Sequence, residues 1–126
     1  MCSSDLRDVQ TAHKQWYFGK SLDGFTPIGP CIVTADAFAD YPPRLGIRSF
    51  VNGEKRQDSN TALQIFDIDH VIAELSQGMT LKAGTIIATG TPAGVGMGMD
   101  PPQFLKPGDV VRCEIEGIGT LTNPVE

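Results

Sequence analysis

"LGIRSFVNGEKRQ", residues 45–57, decides the fold. Leu45, Ile47 and Val51 alternate with Arg48 and Phe50, as they do along a half-buried strand. Asn52-Gly53 follows, a pair that tolerates positive φ at both central positions of a tight turn. The pattern predicts a β-hairpin closed by a primed two-residue turn.

Reading outward from the hairpin, "FDIDHVIAELSQG" (66–78) is the one good helix, over about 67–77. Asp67 or Asp69 caps it, Ile68, Val71, Ile72 and Leu75 form its apolar face, and Gly78 fits the position just past its end. "LKAGTIIATG" (81–90) and "LKPGDVVRCE" (105–114) then echo one another. In each, Leu-Lys-x-Gly predicts a turn that launches a strand, with Pro107 presetting φ and Gly108 accepting a positive φ. In the second strand Val111, Cys113 and Ile115 face one way and Arg112, Glu114 and Glu116 the other, so one sheet face is solvated. Cys31–Thr34 and Ile86–Ala88 are read as further strands from their β-branched content. "RDVQTAHKQWYFGK" (7–20) has no period of two and is read as a short irregular helix ending in a loop at Gly19. The fold class is mainly β (α+β), with one short helix near 67–77, and the chain is one modest domain with no internal boundary.

Composition narrows the function. With 14 Gly and 9 Pro in 126 residues, short strands and many turns are expected rather than long helices. The formal charge of −5 and the scattered basic residues argue against nucleic acid, which needs a basic stripe to neutralise phosphates. No apolar run approaches a membrane span. Three widely separated cysteines, none in a CxxC pair, fit a reducing cytosol better than a disulfide framework or a zinc site.

The residues that can carry chemistry are few. "TGTPAGVG" (89–96) places two threonine hydroxyls on either side of Gly90, and Gly94 and Gly96 would let the backbone approach a ligand closely. Such a segment offers donors to a carboxylate or oxyanion; the alternative is a plain glycine-rich connection. Lys20 follows Trp16, Tyr17 and Phe18, a setting that either desolvates it to steady developing negative charge or lets it snorkel to water. Asp23 either binds a metal or turns the chain. Arg7, with Asp8 and Gln10 beside it, either suits bidentate carboxylate recognition or forms a surface salt bridge. His13 and His70 are isolated, which makes nucleophile and zinc readings poor. Glu114 and Glu116 are either a pair of metal ligands or a solvated strand face beside Arg112.

Taken in order, "RDVQ", "GKSLDGFTPIGP", "VNGEKRQDSNT", "ATGTPAGVGMGMDPPQFLKPGDVV" and "CEIEGIGTLTNPV" resemble the C-terminal part of the fumarylacetoacetate hydrolase superfamily, in its bacterial and domain-containing-protein-2-like branch. The resemblance implies a mixed β-roll or sandwich, incomplete in this chain, and a cytoplasmic bacterial homodimer. It implies a divalent metal, Mg²⁺ or else Mn²⁺ or Ca²⁺, and a β-dicarbonyl or oxo-acid substrate whose enolate the metal stabilises. Hydrolysis of a C–C bond is the first activity it implies. Isomerisation, decarboxylation and oxaloacetate keto–enol tautomerisation are the alternatives, with a non-catalytic carboxylate-binding or interaction subunit beside them.

By motif position, Arg7, Gln10, Gly90 and Thr91 resemble the substrate-binding residues and Lys20 the catalytic lysine. The family's metal-binding E-x-E pair and His–Glu region lie upstream of the matched segment, and Glu114–Glu116 is not their equivalent. A further metal aspartate falls on Ser3, and Asp5, about 6–7 Å along if the segment is extended, would need a register shift to replace it. This chain is therefore expected to bind no metal itself and to be inactive.

Residues 1–6 stand outside these motifs. Cys-Ser-Ser-Asp-Leu is what TGC TCT TCC GAT CTN encodes, which matches the end of a common sequencing adapter, and GTG read as a start codon supplies Met1. We read 1–6 as non-native and 7–126 as the C-terminal part of a catalytic domain, with a natural truncated paralogue as the rival.

Overall fold

The computed structural model describes residues 3–14 and 16–126, with the side chains of 3–7 outside the described set. Its centre is the expected hairpin. Strand β1 (Gly46–Val51) turns through Asn52 (φ 52°) and Gly53 (φ 85°) into β2 (Glu54–Asn60). Both central residues thus take the positive φ that a primed turn demands. Later in the chain, β3 (Val110–Ile115) pairs antiparallel with β1, and β4 (Gly119–Pro124) pairs with β3. The sheet order is β2-β1-β3-β4, all antiparallel.

The β1–β2 register slips between Ser49 and Phe50, so that Ser49 faces Gln57 while Phe50 faces Lys55. Arg56 is the extra residue of a β-bulge. Successive strand residues normally point to opposite faces, but a bulge re-aims the strand locally. Arg56 and Gln57 accordingly both border one cavity, together with Ser49, Val51, Val111 and Cys113. On the opposite face Arg112 lies over the Phe50 ring at 4.1 Å, and Arg48 and Lys55 both pair with Asp58.

A clasp joins the hairpin turn to β3. Asn52 Nδ2 donates to Asp109 Oδ1 (2.8 Å), Val110 N donates to Asn52 Oδ1 (2.9 Å), and Lys106 N donates to Asp109 Oδ2 (2.8 Å). The Asn52 bond first, and the Lys106 N–H second, hold the Asp109 carboxyl below its ordinary value of 3.8. A carboxyl depressed on folding adds stability that is complete above its unfolded value and is lost as pH falls through the folded one. Acid titration followed at the Asn52 side-chain amide should therefore show a midpoint below 3.8; a midpoint at or above that value would count against the clasp.

Helix α1 (Ser3–His13) and the short α2 (Trp16–Lys20) precede the sheet, and α3 (Ile68–Ser76) follows β2. Asp67 caps α3 by accepting from His70 N at 2.7 Å, an interaction worth about 1 kcal/mol. The two Leu-Lys-x-Gly turns match atom for atom. Thr85 N reaches Lys82 O and Asp109 N reaches Lys106 O, each at 3.0 Å, over Gly84 (φ 83°) and Gly108 (φ 92°).

Several expectations need correction. Cys31–Thr34 and Ile86–Ala88 belong to no ladder. β-Branched residues favour extended backbone, whereas a strand also needs a partner, which is a non-local matter. Gly19 does not open a loop; it is buried within α2, and the chain turns later, over Asp23 and Gly24 (φ 78°), where Phe25 N meets Leu22 O at 3.1 Å. Asp23 is thus a turn residue. Ser3–Leu6 lie within α1, so the extended geometry assumed in comparing Ser3 with Asp5 does not apply. Gly78 follows the last helical residues without a left-handed φ.

No hydrophobic side chain is buried among the described residues. The apolar strand positions are only partly covered, and Ile115 remains 38% exposed. No described helix is long and apolar enough to cross a membrane.

Candidate site at the Thr-Gly-Thr segment

Gln57 on β2 organises the segment that follows the second apolar run. Its side-chain nitrogen donates to Thr91 Oγ1 at 2.8 Å and to Pro92 O at 2.9 Å, while its oxygen accepts from Ser49 Oγ at 2.8 Å. Two residues earlier, Thr89 Oγ1 accepts from Gln64 Nε2 at 3.1 Å. Each threonine thus has an amide donor behind it. An accepting hydroxyl still owns one proton, and among the described residues nothing takes the proton of Thr89 or Thr91. Both side chains are exposed, and Gly90 between them (φ 107°) has open space where a Cβ would stand. The arrangement presents two O–H donors to solvent, which is what a carboxylate or developing oxyanion requires.

The other glycines of the segment serve a different purpose. A Cβ on Gly94 would stand 2.1 Å from Arg56 O, and one on Gly96 would stand 1.8 Å from Gln103 O. They let the segment press on the protein's own backbone, not on a ligand. Arg56 seals the same contact: Nη1 donates to Met99 Sδ (3.0 Å) and Gln103 Oε1 (2.5 Å), and Nη2 lies 3.3 Å from Glu54 Oε2. Between sheet and segment lies an open cavity of about 910 Å³, with Met97, Met99 and Phe104 on one side and Val51 and Val111 on the other.

The remaining candidates are placed as follows. Lys20 is exposed, with Nζ 5.4 Å from the Trp16 ring centroid, so it is not desolvated as one of the two sequence readings required. The Gln10 side chain is 2% exposed, and its Nε2 has no hydrogen-bond partner among the described residues. The side chains of Arg7, Ser3 and Asp5 lie outside the described residues. The bonds that hold Thr91 come from β2, while α1 and α2 pack on each other through His13 and Phe18, edge to face at 5.6 Å.

Metal donors are scarce. Glu116 Oε2 accepts from Gly46 N at 2.9 Å, and Glu114 lies 3.4 Å from Arg112 Nε. No three His, Cys, Asp or Glu side chains converge among the described residues. The described donor set therefore does not fit a divalent cation.

Residues 3–126 match the family model described as the fumarylacetoacetate hydrolase C-terminal region. The chain belongs to the fumarylacetoacetate hydrolase family. Among relatives of known sequence, it is 50% identical over 119 residues to a Bacillus subtilis (strain 168) protein named oxaloacetate tautomerase YisK, covering 94% of this chain and 39% of that one. Among solved structures, the fumarylacetoacetate hydrolase of Exiguobacterium antarcticum superposes with a TM-score of 0.88 at 54% identity, over 95% of this chain and 43% of that one. Maleylpyruvate hydrolase from Sphingobium sp. SYK-6, solved with manganese(II) and pyruvate, gives 0.75 at 42% identity, over 86% and 38%. The chain thus spans well under half the length of these family members.

The sequence offers Thr91 and Gly90 as candidates but gives no sign of Gln57 and Gln64, whose amides bond to Thr91 and Thr89. Nothing local marks the two glutamines, because their role arises from a bulge and a long-range approach.

Proposed function

We propose that this chain supplies the substrate-oxygen wall of a family enzyme acting on small oxo-acids, and that the reaction is keto–enol tautomerisation or a related isomerisation. The observation that carries the reading is the pair of exposed hydroxyls at Thr89 and Thr91, each accepting from a side-chain amide and each keeping one proton to give. Tautomerisation moves a proton from carbon to a carbonyl oxygen through an enolate, and outward O–H donors stabilise that oxygen as charge develops. The tautomerase name of the Bacillus subtilis relative favours this reaction over hydrolysis of a C–C bond, which the maleylpyruvate hydrolase name keeps as the second reading. In the whole enzyme Arg7 is assigned to the substrate carboxylate, Gln10 and Gly90 to the binding wall, and Lys20 to steadying developing charge. Assembly as a homodimer and use of Mg²⁺ or Mn²⁺ belong to the same proposal.

The test carries these 126 residues in place of the matching segment of the Bacillus subtilis relative and follows oxaloacetate keto–enol interconversion. Thr91→Val should lower kcat about a hundredfold, the usual cost of one oxyanion donor. An unchanged rate would overturn the role of Thr91. Faster cleavage of an acylpyruvate than tautomerisation would transfer the reading to hydrolysis.

A further inference from the structure

We propose that Gln57 is a positioning residue that fixes which way Thr91 gives its proton. The inference rests on the reading of Thr91 as a substrate-oxygen donor and extends it to the residue that bonds to that hydroxyl. Pro92 O can only accept, so the Gln57 atom facing it at 2.9 Å must be the nitrogen. That assignment commits both Nε2 protons, one to Pro92 O and one to Thr91 Oγ1 at 2.8 Å. The Oε1 atom is left as an acceptor, and Ser49 Oγ stands 2.8 Å from it as the donor. Thr91 is therefore the acceptor in its bond to Gln57, and its own proton is turned toward the open side of Gly90.

The three groups form one directed chain in which Ser49 donates to Gln57 and Gln57 donates to Thr91. Such chains polarise each member in the same sense, which makes the last hydroxyl a better donor. The device depends on the bulge. Ser49 and Gln57 are direct cross-strand partners, and the extra Arg56 beside them turns its own side chain to the same cavity and its carbonyl against Gly94. Strand pairing thus sets Gln57, Gln57 sets Thr91, and the Gly94 contact keeps the two at bonding distance.

Gln57→Glu tests this with little change of shape. At neutral pH a carboxylate has no proton to donate, so Thr91 must turn its proton back to Glu and lose it for the substrate. In the same full-length context, Gln57→Glu should lower kcat about tenfold with KM nearly unchanged, because the lost bond matters most as charge develops. The loss should shrink as pH falls and the carboxyl regains its proton. It should also be much smaller on a Thr91→Val background, which lacks the hydroxyl and keeps only the lost bond to Pro92 O. An equal loss on that background, or no loss at all, overturns the proposal.

A second measurement separates failure of this inference from failure of the functional reading. Proton exchange at the Gln57 side-chain amide should be slow in the parent and faster in Thr91→Val. Slow, Thr91-dependent exchange without oxo-acid turnover would refute the functional reading and leave the positioning intact. Fast exchange in the parent would refute the positioning itself.

Discussion

Gly94→Ala is expected to unseat the segment that carries Thr91. Two independent effects act at this residue. Its φ of 102° lies where L side chains are strained, at about 1–2 kcal/mol. Its Cβ would also come 2.1 Å from Arg56 O and 3.0 Å from both Arg56 C and Gln57 Cγ. The obstruction is strand backbone at the bulge, not the end of a flexible side chain, so relief requires β2 and the segment to separate. Separation breaks the two Gln57 bonds to Thr91 and Pro92 together. Strain and lost contacts combined should cost about 4 kcal/mol or more, a large part of the ~5–15 kcal/mol that holds a domain folded.

Gly90→Ala supplies the control. Its φ of 107° carries a similar strain, but the Cβ meets nothing within 4 Å, so only the conformational cost applies. Thermal melts in full-length context, with amide exchange read over residues 89–98, should show Gly94→Ala far below Gly90→Ala. Equal melting of the two variants would show that the Gly94–Arg56 approach contributes nothing. Gly96, whose Cβ would stand 1.8 Å from Gln103 O while its own carbonyl accepts from Gln103 N at 2.9 Å, shares the obstruction but not the positive φ.

What could be read from the sequence divides along the range of the interactions. The hairpin, the α3 cap and both Leu-Lys-x-Gly turns were legible because Asn-Gly, an aspartate cap and glycine at a positive φ act within four residues. Thr91 was legible as a hydroxyl in a glycine-rich segment. Cys31–Thr34 and Ile86–Ala88 misled because their residues specify extended backbone, while ladder membership depends on a distant edge. Gly94 and Gly96 were read as letting a ligand approach, whereas they admit Arg56 and Gln103 of the chain itself, far away in sequence. Gln57 was invisible because "KRQ" does not announce a bulge. Only the slip between Ser49 and Phe50 brings Arg56 and Gln57 to one side of the sheet.

Alone in solution, the 126-residue chain is expected to melt without a sharp cooperative transition and to turn over no oxo-acid. A fully buried Leu, Ile or Phe contributes about 1.5–3 kcal/mol, and domains fold by accumulating several of them. Here none is buried among the described residues, and Ile65, Ile32, Tyr17 and Leu63 are 92%, 85%, 76% and 73% exposed. Hairpin, clasp and helix cap are local devices worth roughly 1 kcal/mol each, too little to offset chain entropy of about 1–2 kcal/mol per residue. The exposed apolar surface should bind a hydrophobic dye and drive concentration-dependent association. Catalysis is expected to fail for a separate reason: on the proposed reading the chain brings donors for a substrate oxygen, while the metal ligands belong to other residues of the whole enzyme, no three of them converging among the described residues. Calorimetry, dye binding and assays of oxaloacetate and an acylpyruvate with added Mg²⁺ or Mn²⁺ address both points. Supplying the N-terminal part of the Bacillus subtilis relative should sharpen the melt, because it offers the apolar faces a partner. A two-state melt of the monomeric 126-mer would refute the packing argument, and metal-dependent turnover by it would refute the assignment of the metal ligands to residues elsewhere.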